Sequence, residues 1–442
     1  MSLPVKPTYK EALKFWFKLG WISFGGPAGQ IAILHEFIVE KKKWISEKKF
    51  LHALNYCMLL PGPEAQQLAT YTGWLLHGTR GGLTAGILFI LPSIFILLGL
   101  SIVYVEYGNL PWIYALFEGL KPAVVAIVIV AMIKIAKRSL ATPLHVAIAL
   151  LSFIAIFFFD IPFPVIILTT LLIAFILRFA TPKIFNSRQS NSQKNDDESG
   201  YYLTTTSVIP GTGFKLSRFM SQIAIFIFLW SIPMILFYSF SSDFNFWKNL
   251  SLFFTQAAFV TFGGAYAVLP YVAQKAVESF HWLSSLQMID GLALGESTPG
   301  PLIMVLAFVG FMGGYNYFGS SLMTGTIGLL TTTYFTFLPC FLFIFAGAPL
   351  IEKTQQNNSV KTILSFVTAA VTGVVLNLTL YFGEAVIFAK NHARFSDIDF
   401  NELNYINLGW IIISFVALYR FKIDMMIWIG ISALFGLINY LV

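Results

Sequence analysis

Four short motifs in this chain carry chemistry in their backbone rather than in their side chains. They are Ser23-Phe24-Gly25-Gly26-Pro27, Pro61-Gly62-Pro63, Thr261-Phe262-Gly263-Gly264 and Thr298-Pro299-Gly300-Pro301. Pro27 and Pro63 suit the first position of a helix, where no N–H is needed. Glycine lets a ligand approach the backbone. Each break therefore exposes unpaired N–H groups at the positive end of a helix dipole, which makes an anion site. The hydroxyls of Ser23, Thr261, Ser297 and Thr298 stand beside the breaks and could donate to oxyanion oxygens. For any single motif the plainer alternative is packing: glycine and proline kink helices and let them approach closely.

The motifs are paired. Phe24-Gly25-Gly26 returns as Phe262-Gly263-Gly264, an offset of 238, and Trp44, Ser46, Leu54 and Pro61-Gly62-Pro63 return on the same offset as Trp282, Ser284, Leu292 and Pro299-Gly300-Pro301. Further on, Phe89-Ile90-Leu91-Pro92 matches Thr336-Phe337-Leu338-Pro339, and the stretch from Lys121 to Ala126 matches Thr368 to Thr372-Gly373. Paired broken segments in two halves are a strong sequence pointer to a transport site.

Ionisable residues are few. Lys121 lies deep in an apolar stretch and follows Glu118 by three residues. It can attract an anion or pair with Glu118 on the same helix face. Glu64 directly follows Pro63, where it can complement its own helix dipole or carry a coupling proton. Gln67, with Gln66, is its polar neighbour; these amides can meet a substrate or bond between helices. His35, His52 and His77 lack ligand spacing, so no metal is expected, and no cofactor. No nucleophile–base pair or phosphate loop argues for an enzyme. Cys57 and Cys340 read as core residues.

The elements that must position these motifs are membrane helices. The 442 residues are 57% hydrophobic and 11% charged, far below the roughly 25% charged of soluble proteins. Almost charge-free stretches at 83–105, 112–133, 143–159, 163–180, 218–239, 322–346, 362–389, 405–419 and 425–442 approach the length needed to span a bilayer. Continuous apolar runs predict helices rather than a barrel. The fold class expected is an all-α polytopic membrane protein of two inverted-topology repeats with re-entrant or broken helices. The net charge of +7 is spread over short loops, as positive-inside topology requires, which argues against a nucleic-acid partner.

The basic loop Lys41–Lys49 and the N-terminus, which lacks the apolar core of a signal peptide, are expected in the cytoplasm. The counterpart of that loop, Ala276–Trp282, has lost the lysines, as an inverted copy predicts. The organisation expected is an N-terminal repeat at 1–180, a cytoplasmic linker at 181–217, a connecting helix at 218–245 and an inverted repeat at 246–442. The 186–200 stretch has no apolar residue before Tyr201 and reads as disordered.

These residues resemble the chromate ion transporter family. The resemblance rests on Ser23-Phe24-Gly25-Gly26-Pro27, the basic run before Trp44, the Leu60–Leu68 segment, Gly73-Trp74, the His77–Gly82 segment, Leu91-Pro92-Ser93 and the Lys121–Val125 segment. In the second half it rests on Thr261-Phe262-Gly263-Gly264 and Thr298-Pro299-Gly300-Pro301. One departure is lysine at 41–43, where many members carry arginine. The resemblance implies a long-chain form with two fused halves, in the inner membrane, that exports chromate. Sulfate is the alternative substrate, because both are tetrahedral dianions of similar size. An oxyanion channel and a membrane scaffold are the other readings. The partners expected are one of these dianions and the lipid bilayer, with a homodimer left open.

Overall fold

The structure, a computed structural model, describes residues 6–24, 26–180, 198, 200–207, 214–351, 358–388 and 403–441. Among them the architecture is all-α. The first half runs α1 (Tyr9–Ile22), α2 (Gly26–His35, extended by a π-helical turn Glu36–Lys41), α3 (Glu47–Cys57), α4 (Glu64–Tyr107), α5 (Pro111–Ser139), α6 (Pro143–Phe159) and α7 (Phe163–Ala180). Helix α8 (Leu216–Phe240) follows the linker. The second half runs α9 (Phe244–Val260), α10 (Ala265–Gln274, extended by Lys275–Ser279), α11 (Ser285–Glu296), a 3-10 turn Leu302–Met304, α12 (Val305–Tyr317), α13 (Leu322–Ile351), α14 (Asn358–Ile387), α15 (Tyr405–Tyr419) and α16 (Met425–Leu441). Helices α4, α5, α8, α13 and α14 are long and apolar enough to cross a membrane. The chain is a polytopic membrane protein.

The elements recur at the sequence offset down to single dihedrals. The turns before Trp44 and Trp282 place Lys43 and His281 at the same φ of 51°. Trp44 and Trp282 each donate their amide six residues back, to Ile38 and Ala276, at 2.8 Å. Ser46 and Ser284 both cap the helix that follows. Packing recurs as well: α1 lies on α4 as α9 lies on α13, and α6 lies on α14 as α15 lies on α5. The long helices α4 and α13 meet across the centre, as do α5 and α14. Helix α8 buries none of its residues but packs on α9 and α13, where Trp230 Nε1 donates to Thr255 Oγ1 (2.9 Å) and Tyr334 donates to Leu229 O (2.7 Å).

Several boundaries differ from expectation for physical reasons. The break near His77 is a kink inside α4, with Gly78 at φ 64°; the second half instead separates α12 from α13 by a turn, in the region where the repeat offset lengthens from 238 (Pro61 to Pro299) to 247 (Phe89 to Thr336). The linker is partly anchored. Leu203 forms a parallel bridge with Ile45, in which Tyr202 donates to Lys43 O (3.1 Å), Leu203 to Trp44 O (3.0 Å) and Ser46 to Leu203 O (2.8 Å). Glu198 clamps this dock, its carboxylate accepting from Ser46 Oγ (3.1 Å) and from Thr205 N and Oγ1 (3.0 and 2.9 Å). Most of the 186–200 stretch read as disordered lies outside the described residues.

Candidate functional site

The four breaks come together through two hydrogen bonds that cross between halves. The Gly62 amide donates to the Thr261 carbonyl at 2.7 Å, and the Gly300 amide donates to the Ser23 carbonyl at 2.7 Å. Exchange of the two halves turns one bond into the other. Ser23 and Thr261 are fully buried. They end α1 and α9 with near-identical dihedrals (φ −83°, ψ 72° and φ −78°, ψ 81°). Gly62 and Gly300 adopt φ of 119° and 106°, which only glycine takes without strain.

Side chains hold the crossing on both sides. Gln67 Nε2 donates to Pro61 O (2.6 Å), and Ser93 Oγ donates to Pro299 O (2.5 Å), so each Pro-Gly-Pro has its first carbonyl capped. A Cβ on Gly62 would lie 2.8 Å from Cys340 Sγ, and one on Gly300 would lie 1.9 Å from Ser93 Oγ. Cys340 occupies in the second half the place of Ser93 in the first. Gln30 Nε2 donates to Gly300 O (2.6 Å) and Ser23 O (3.2 Å). Because carbonyls only accept, these contacts fix the amide orientation of Gln30 and Gln67. Their Oε1 atoms are left buried without a partner.

The other glycines of the motifs are open. A Cβ on Gly26 (φ 74°) or Gly264 (φ 97°) would meet nothing within 4 Å. They stand at the N-termini of α2 and α10. Helices α4 and α10 and the Leu302–Met304 turn all begin without a side-chain cap, so their first N–H groups are the donors the site offers. Pro27 lies in the first turn of α2, whereas Pro63 and Pro301 sit one residue earlier than the first helical position, as the caps of the elements that follow. Gly25 lies outside the described residues. A Cβ on Gly263 would lie 3.5 Å from Thr368 Cγ2, so this glycine, unlike Gly26 and Gly264, has a neighbour.

The hydroxyls are engaged otherwise than the sequence suggests. Ser23, Thr261 and Thr298 donate to carbonyls four residues back (2.6, 2.6 and 2.7 Å), and Ser297 donates to Leu294 O (2.9 Å). A helical Ser or Thr has that carbonyl within reach and takes it. Backbone amides are therefore the main donors at the breaks.

The charged residues divide into two groups. Lys121, 5% exposed, donates to Glu118 and lies within electrostatic reach of Asp290, whose Oδ2 accepts from Tyr104 (2.8 Å). Glu64 and Glu296 are buried beside the breaks. Arg138 of α5 acts on Glu64, and Lys134, one turn earlier, acts on Glu296. Sequence reading singled out neither Gln30 nor Tyr266, the partner of Glu296. The available signal was a polar residue within a broken apolar segment. A cavity of about 140 Å³ lies away from the breaks, between α6, α10 and α14. It is lined by Asp160, Glu278 and Glu384, a charge unsuited to an anion.

Long apolar helices, broken segments that meet in the interior and backbone donors at the breaks define a membrane transporter. The chromate transporter family model matches residues 10–176 and 248–437, and the chain belongs to that family. It is similar to a probable chromate transport protein of Synechococcus elongatus, 28% identical over 86% of each chain. It is also similar to a chromate transport protein of Cupriavidus metallidurans, 26% identical over 88% of this chain and 85% of that one. An uncharacterized transporter of Methanocaldococcus jannaschii is 27% identical over 85% of each. No solved structure matches the chain. As a member of this family the protein is a secondary transporter and not an enzyme.

Proposed function

We propose that this protein exports tetrahedral oxyanions, chromate foremost, from the cytoplasm across the inner membrane. The site is the place where the breaks of two oppositely oriented repeats meet. The observation that carries this reading is the crossed pair of bonds, Gly62 to Thr261 and Gly300 to Ser23. It brings the helix N-termini of both halves to one locus, and positive helix ends at a repeat interface suit an anion. Gly26 and Gly264 supply the open backbone. Pro61, Gly62, Pro63, Thr298, Pro299, Gly300 and Pro301 form the wall. In this reading Lys121 supplies charge, a role supported by its repeat equivalent, Thr368, which lies against Gly263.

Similarity to chromate transport proteins supports chromate; sulfate, of the same shape and charge, is the competing substrate. The buried crossing favours a carrier over an open channel. A dianion leaving an inside-negative cell gains ~2.3 kcal/mol per charge per 100 mV, so potential alone can drive export. The test is uptake of radiolabelled chromate and sulfate into inside-out vesicles, each competed with the other. Chromate accumulation that grows with an imposed interior-positive potential is expected. Absence of flux for both anions would sink the reading.

A further inference from the structure

Glu296 ends α11 and directly precedes Ser297-Thr298-Pro299-Gly300. It is 4% exposed. Its Oε1 accepts a hydrogen bond from the hydroxyl of Tyr266. Tyr266 is the second residue of α10, two beyond the open Gly264. One acid–phenol pair thus joins the two breaks of the second half. The first half has Met58 and Ala28 at these positions. The repeat architecture therefore forms without such a pair, and its presence here calls for another reason.

Few groups act on this carboxyl. From α10 there is Tyr266, and from α5 there is Lys134. On the other elements packed against α11, Tyr104 of α4 faces Asp290 and Tyr381 of α14 faces Ser285, both toward the far end of the helix. Glu118 and Lys121 of α5 act there too, on Asp290. Helix α12 presents Phe308 and Val305. Glu296 is the one acid of α11 at the break.

A carboxylate and a bound dianion in one poorly solvated site repel strongly. Protonating the acid removes that repulsion. The pair can keep its hydrogen bond in either state, since a carboxylate accepts from the phenol and a carboxylic acid can donate to it. Alternatively the neutral acid and the phenol can both turn to the oxyanion as donors. We propose that Glu296, held by Tyr266, is a proton site coupled to the oxyanion site, so that a dianion binds together with one proton taken from water. This deepens the oxyanion reading above and rests on it. Coupling is reciprocal: the proton strengthens anion binding as the anion strengthens proton binding. The bound cargo carries one negative charge rather than two, which halves the drive from membrane potential and adds a dependence on the proton gradient.

The test is the pH dependence of chromate and sulfate affinity, measured on the purified full-length protein from about pH 5.5 to 8.5. Chromate itself titrates in that range, so the wild type is compared with Glu296→Gln, which sees the same ligand. On the alkaline side the ratio of wild-type to variant Kd should rise about tenfold per pH unit, the slope of one linked proton. Tyr266→Phe should move the midpoint of the wild-type curve while keeping its slope. A constant ratio across the range overturns the proposal, as does an unmoved midpoint in Tyr266→Phe should Glu296→Gln fail to fold. Wild-type protein that binds neither anion would instead bring down the oxyanion reading on which the proposal stands.

Discussion

The Gly62 amide is bonded to the carbonyl of Thr261, 199 residues later in the chain, at 2.7 Å, and the Gly300 amide repeats the contact with Ser23. Each half thus closes the break of the other. The two kinds of motif glycine should respond differently to a methyl group. At Gly62 and Gly300 a Cβ meets Cys340 or Ser93, and the φ is forbidding. Gly300→Ala should cost roughly 2–4 kcal/mol, from left-handed strain and overpacking together. At Gly26 and Gly264 the added atom meets nothing. Gly264→Ala should therefore cost only the backbone strain, about 1–3 kcal/mol, while under the proposed reading its methyl stands where the anion approaches. The expected outcome is a folded, transport-defective Gly264→Ala and a heat-sensitive Gly300→Ala, read by melting temperature and vesicle flux. Equal melting temperatures would contradict the distinction.

The linker dock supplies a pH prediction at the membrane surface. Partial desolvation works against the charged form of Glu198. Hydrogen bonds from Thr205 and Ser46 and the charge of Lys48 outweigh it and hold this carboxyl below its ordinary value. The docked state binds the proton more weakly than the free chain. Its stabilisation is complete above the ordinary glutamate pKa of about 4.3 and is lost as pH falls through the lower, docked value. Hydrogen exchange at the Leu203 and Ser46 amides should accelerate in that acid window, and Glu198→Gln should show the faster exchange already at neutral pH. Unchanged protection in the variant would mean that the bridge alone holds the linker.

Much of this arrangement was legible in the sequence because it rests on local rules. Long charge-free runs give helices, and glycine and proline mark where the broken segments stop. The repeat offset located all four motifs. Which break would meet which was not legible. The crossing of Gly62 with Thr261 depends on how two halves dock, and no local pattern encodes that. Hydroxyl orientation was hidden for a related reason: Ser23 and Thr261 choose a carbonyl one turn back, available only once the helix exists. Glu64 and Gln67 adjoin Pro63 in sequence, which is what makes them candidates for coupling. Gln67 holds Pro61 O, and the acid that bridges two breaks is Glu296, whose partner Tyr266 lies 30 residues away.

Orientation is the largest expectation carried over from charge patterning. Lys41–Lys43 and the loop around His281 have the same backbone turn, but the second has lost the run of lysines. If the repeats are inverted, cysteines placed at Lys42 and Ser279 should react with impermeant reagents from opposite sides, Lys42→Cys from the cytoplasm. Labelling of both from one side would end the inverted-repeat reading, while leaving the crossing of the breaks as it stands.

Lys121 poses the sharpest choice. Its ammonium is bonded to Glu118 and lies near Asp290, which would suffice as a structural role. Removing the buried partner of a half-exposed pair is costly in itself, so loss of function in Lys121→Met alone decides nothing. Two comparisons separate the roles. If Lys121 only neutralises Glu118, Lys121→Met with Glu118→Gln should restore both stability and transport. If it also draws the dianion, the double variant should recover stability but keep a raised KM for chromate, roughly ten- to a hundredfold, the scale of one charged hydrogen bond at 1.5–3 kcal/mol. Lys121→Arg, which keeps the charge, should raise KM less than Lys121→Met. The position of Thr368 against Gly263 favours the second outcome, since the same position in the other half touches a break. A double variant with the wild-type KM would return Lys121 to a purely structural part.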